Sequence, residues 1–99
     1  MKENELTLYL VRALWGHVPP TLRTVSFELN EMLVKFQCIL DADASEDDKE
    51  LLSVAGTEFV ADLPSEYEFD EIIKIIPYPE EVTNLRELVY LRHEHNYYK

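Results

Sequence analysis

The sequence holds a single cysteine and two glycines, and no stretch of it approaches the roughly 20 apolar residues that span a bilayer. Cys38 therefore has no disulfide partner within the chain, which excludes a disulfide scaffold and fits a reduced compartment or a buried thiol. Two glycines cannot build a phosphate-cradling loop, and no G-x-S-x-G elbow is present. Cations are scarce as well. Nine lysines and arginines face twenty aspartates and glutamates, for a formal net charge of -11. A field of that sign repels nucleic acid and anionic membrane, and it draws a basic protein towards it. At the N-terminus, Glu3 and Glu5 contradict a basic leader and Arg12 interrupts the apolar run. No signal peptide is expected, and the expected location is the cytoplasm.

What the chain does have is enough apolar material for an ordinary core. Its 99 residues are 46% hydrophobic and include eleven aromatics, which suits one domain over residues 1–99 built without metal, disulfide or cofactor. The charge is concentrated in the middle. Residues 31–71 hold thirteen acids and only two bases, Lys35 and Lys49, whereas the seven acids and seven bases elsewhere cancel. An acidic surface can serve solubility alone, so charge by itself leaves function open.

Periodicity predicts the order α-β-β-α-β-β. Leu6, Leu10, Ala13 and Leu14 recur at helical spacing, with Asn4 placed to cap the start; Gly16 and Pro19-Pro20 stop the helix. Two alternating stretches follow, with Val25, Phe27 and Leu29 on one face of the first and Met32, Val34, Phe36, Cys38 and Leu40 on one face of the second. A two-residue turn at Asn30-Glu31 would pair Leu29 with Met32, Phe27 with Val34 and Val25 with Phe36 on the core side. "DADASEDDKELL" then opens the second helix. Ser45 and Asp48 have capping-box spacing, acids in the first turn complement the helix dipole, and Leu52, Ala55, Phe59 and Leu63 form the core stripe up to Pro64. "EYEFDEIIKIIPYP" reads as a strand whose phase breaks near Asp70-Glu71, where a bulge is expected. "LRELVYLRHEH" reads as the last strand, with Leu88 and Tyr90 on one face and Val89 and Leu91 on the other; a helix is the competing reading. The expected architecture is an α+β two-layer sandwich, one four-stranded antiparallel sheet with two helices on one face.

Sites for chemistry are weak. A calcium loop starting at Asp41 would need glycine where Glu46 stands and glutamate where Leu52 stands. His93 and His95 would share a side of a strand, but no further ligand has structural-zinc spacing, so no metal is expected. No catalytic residue is expected either, and an acid–base pair would have to arise from folding alone. Binding fits better. The last two strands carry apolar or aromatic residues on both faces, which would leave an aromatic anchor beside acids unless the tail "HNYYK" or a second subunit covers it.

Three segments carry a resemblance: "LVRALWGHVPPTLRTVSFEL", "SEDDKELLSVAGTEFVADLP" and "IIPYPEEVTNLRELVYLR". Together they resemble small acidic immunity proteins of bacterial toxin–immunity loci, including contact-dependent growth inhibition systems. The resemblance implies a non-enzymatic inhibitor of one cognate toxin domain, often a nuclease, in the cytoplasm of the producing cell. It carries over no site residues. On charge, Asp41, Asp43, Glu46, Asp47 and Asp48 are expected to form one acidic edge, and Glu66, Glu68, Asp70 and Glu71 another, with Tyr67 or Tyr90 as anchor. Direct nucleic-acid or membrane binding is not expected. The alternative is a homodimeric α+β scaffold or regulatory protein.

Overall fold

The computed structural model describes residues 3–94; His95 and the tail at 95–99, considered above as a metal ligand and a cover, lie outside them. The element order is α1 (Glu3–Leu14), β1 (Leu22–Asn30), β2 (Leu33–Leu40), α2 (Glu46–Ala61), β3 (Glu68–Ile75) and β4 (Glu87–Leu91). The fold is α+β, as the periodicity predicts. The strands lie in the order β3-β2-β1-β4. β1 pairs antiparallel with both β2 and β4, but β2 pairs parallel with β3, so the sheet is mixed rather than wholly antiparallel. The reason is the intervening helix: α2 carries the chain back along the sheet before β3 begins, and such a crossover delivers a parallel neighbour.

The hairpin register differs from expectation by two residues. Leu29 faces Val34, Phe27 faces Phe36 and Val25 faces Cys38. The turn falls at Glu31-Met32, with Glu31 in the left-handed region at φ 55°, and Met32 is exposed instead of facing the core. A shift of two leaves every other side chain on its expected face, so alternation alone could not detect it. Nor does β3 break phase. It runs without a bulge beside β2, and Glu71 takes a helix-side position between Phe69 and Ile73. The irregularities sit in β1 near Arg23 and in β4 between Leu88 and Tyr90. The β4 bulge turns Val89 and Tyr90 both against the core and leaves Leu88 and Leu91 exposed.

The core lies between sheet and helices. Leu6, Leu10, Ala13 and Leu14 of α1 and Leu52, Ala55 and Phe59 of α2 bury against Val25, Phe27, Val34, Phe36 and Cys38. Phe59 stands edge-on to Phe27, Phe36 and Phe69 at centroid distances of 6.3, 6.1 and 6.0 Å, geometry that aromatic quadrupoles favour. α1 packs on β4 and α2 on β3. α1 begins at Glu3, so Asn4 lies within it rather than capping it. Gly16 ends it with φ 78°. Ser45 caps α2 in a full capping box: the Asp48 amide donates to Ser45 Oγ and the Ser45 amide to Asp48 Oδ2, both at 3.1 Å.

The second sheet face is not open. β3 and β4 occupy opposite edges, so residues 76–86 must cross the sheet to join them. They cross on the side away from the helices, where Gln37 Nε2 donates to the Thr83 carbonyl at 3.0 Å and the Leu85 amide to Ser26 Oγ at 3.0 Å. Thr24, Ser26, Gln37 and Ile39 are buried there. The chain's own strap thus covers the face that the sequence left unassigned.

Candidate partner-binding surface

The eleven candidate residues separate by what already holds them. Asp41, at the end of β2, accepts from Arg92 Nη2 at 2.8 Å and from the Tyr78 amide at 3.0 Å. Those bonds hold its carboxyl down at about 2, the arginine contributing most. Asp48 is engaged by the Ser45 amide and the Thr21 hydroxyl, which lower its pKa in that order. Glu71 turns toward α2, where the Ser53 hydroxyl donates to it at 2.9 Å. Its carboxylate lies against Gly56, one of the few positions on α2 without a side chain in the way. Burial pushes the neighbouring Cys38 thiol well above its ordinary value, and Glu71 adds to that shift. Tyr67 and Tyr90 are half-buried and pack against the core. Asp43, Glu46, Asp47, Glu66, Glu68 and Asp70 are exposed.

These six lie along or next to α2 and β3 but not on one face: Glu68 and Asp70 alternate with the helix-side Phe69 and Glu71, and Asp70 lies in register with Lys35. α2 lies beside β3, and the two elements hold eight acids against two bases, Lys49 and Lys74. Asp43, Glu46 and Asp47 sit where α2 begins, at the Leu40–Ile75 end of the sheet, while Glu66 and Glu68 sit at the hairpin end. The eight residues of β3 separate the two groups by about 25 Å. They are two separate acidic groups, not one compact cluster.

Two features escaped the sequence reading. One is a buried ionic knot. Arg23, 1% exposed, donates through Nε and Nη2 to Glu94 at 2.7 and 2.9 Å and through Nη1 to the Ile76 carbonyl at 2.7 Å. Arg92 reaches the same Glu94 and bridges to Asp41, and the arginines hold the Glu94 carboxyl below its usual range, Arg23 chiefly. The other is Trp15, 69% exposed just after α1, beside an apolar groove of about 300 Å³ lined by Val11, Leu14, Val18, Val89 and Tyr90. Trp15 falls off the Leu6–Leu14 stripe, which was the available signal. Among the described residues, no group of three or more His, Cys, Asp or Glu side chains is placed to hold a metal ion, and no helix is long and apolar enough to cross a membrane.

Comparison with known proteins gives the chain a family. Residues 3–94 match the profile of the MafI2 immunity protein family, nearly the whole chain, and the chain belongs to that family. A search of curated proteins found no match. Among solved structures, one that is similar is the metal-bound C-terminal domain of the CzcD transporter from Thermotoga maritima, 20% identical, covering 81% of this chain and 98% of that one with a TM-score of 0.45.

Proposed function

We propose that this MafI2-family protein binds a basic toxin domain, that of a nuclease, and neutralises it in the cytoplasm of the cell that makes both. It does so as a stoichiometric inhibitor of a polymorphic or contact-dependent toxin system, with no reaction of its own. Family membership implies the toxin partner. The observation that supports a basic one is the excess of acids on α2 and β3, eight against the two bases Lys49 and Lys74. Enzymes that act on polyanions bind them through cationic clefts, and an acidic surface competes for such a cleft. Asp43, Glu46 and Asp47 at one end and Glu66, Glu68 and Asp70 at the other are the contacting carboxylates. Asp41, Asp48 and Glu71 are already committed to internal partners.

Co-expression of the full chain with the toxin domain encoded in the adjacent reading frame tests this. A one-to-one complex by mass in solution, with growth restored and nucleic acid protected, is the expected result. A toxin that remains active beside equimolar chain, with no complex, would overturn the proposal.

A further inference from the structure

Among the described residues Trp15 is the most exposed of the large apolar side chains, and the core closes without it. It sits on a ridge. On one side is the apolar groove of Val11, Leu14, Val18, Val89 and Tyr90. On the other is a notch of about 360 Å³ that Trp15 shares with Arg12, Ala13, Glu58, Ala61 and Asp62. The notch is electronegative for two reasons. Glu58 and Asp62 stand in it, and it lies at the C-terminal end of α2, whose last turn has no basic residue to offset the negative end of the helix dipole. Against these two acids stand Arg12, which lines the notch with its guanidinium 5.9 Å from the Tyr9 ring centroid, and the His17 ring, 3.6 Å from Glu58. One indole therefore borders an apolar slot and an anionic notch.

Resting on the reading of this chain as a toxin-binding protein, we infer that the Trp15 ridge is the affinity-determining centre of the toxin interface. Its occupant is a toxin segment that places an apolar side chain in the Val11–Val18–Tyr90 groove and an adjacent lysine or arginine over the indole face. There Glu58, Asp62 and the end of α2 receive the cation. A second copy of this chain suits the site poorly, because a two-fold contact would bring each copy's Glu58 and Asp62 towards the other's. The division of labour is plain: the distant Asp43, Glu46 and Asp47 speed encounter, and Trp15 sets how long the complex lasts.

The test is calorimetric and kinetic binding of the full chain to its cognate toxin domain. Trp15→Ala should weaken affinity by at least about 30-fold, the hot-spot scale, almost entirely through faster dissociation. Trp15→Phe should recover part of that loss. Val11→Asp, which puts a charge in the groove without touching the indole, should weaken binding comparably, with the thermal midpoint of the free chain close to that of the unsubstituted protein. Toxin binding that survives both Trp15→Ala and Val11→Asp within about threefold overturns this site and leaves the toxin-binding reading standing. Failure of the unsubstituted chain to bind removes both. Self-association that Trp15→Ala abolishes, with toxin affinity unchanged, assigns the ridge to a second copy and also overturns the inference.

Discussion

Arg23 and Glu94 carry opposite charges at 2% side-chain exposure each, and Arg23 is the chief counter-charge of Glu94. Desolvating two ions is costly, so such a pair adds little net stability, but removing one partner strands the remaining charge. Glu94→Ala is therefore expected to destabilise the fold by about 3 kcal/mol in urea unfolding. Glu46→Ala, an exposed acid in a loose pair with Lys49, should stay within about 0.5 kcal/mol. A loss at Glu94 no larger than at Glu46 would mean the knot is not closed in solution. The same scale shows what residue identity conceals. Asp41 and Asp43 look interchangeable two positions apart, yet one is tied to Arg92 and the other is exposed. Arg92 lies 51 residues away, and nothing local in the sequence announces the contact.

At the scale of elements, α2 and β3 meet where Gly56 makes room for the Glu71 carboxylate. A Cβ at residue 56 would run into Glu71 Oε1 and come within 3.2 Å of the Phe36 ring. Alanine gains roughly 1 kcal/mol of helix propensity over glycine, but only if those neighbours yield. Gly56→Ala and Glu71→Ala should therefore couple: the double substitution should be more stable than the sum of the singles predicts by about 1 kcal/mol in a double-mutant cycle. Additive costs would show that Glu71 is not the obstacle. Glu71 also explains why the periodicity of this stretch misleads. An acid on the inner face between Phe69 and Ile73 looks like a phase break, and its partner Ser53 sits on another element. What was legible is what short-range physics dictates: both helices, the Ser45 capping box, the Gly16 stop and the alternating hairpin. Strand direction and the strap were not. Both depend on where β3 docks, and an apolar alternating segment docks parallel or antiparallel with the same pattern. The two-residue register difference has a similar origin, since Glu31 accepts the left-handed conformation that the turn needs.

Across the whole molecule, charge and apolar surface meet at the C-terminal end of α2, where Glu58 and Asp62 stand beside Trp15. Elsewhere α2 and β3 carry most of the remaining acidic excess, while the apolar groove beside the tryptophan lies between α1 and β4. If these acids steer a cationic toxin, raising salt from about 20 to 200 mM should slow association by an order of magnitude or more and change dissociation little. Replacing Asp43, Glu46 and Asp47 by their amides should flatten that salt dependence. An association rate indifferent to salt would leave the acids with solubility as their only role. The uneven charge was legible because it needs only counting. That the two acidic groups end up about 25 Å apart required the parallel β2–β3 pairing.

The knot also bears on how the chain matures. β1 lies between β2, made next, and β4, made last among the described elements, and Arg23 waits for Glu94 across 71 positions. A chain that has formed only the hairpin and α2 therefore still lacks the carboxylate that Arg23 meets in the finished fold. The knot closes only once residues 87–94 have docked beside β1, so the β4 edge and the root of the hairpin set together.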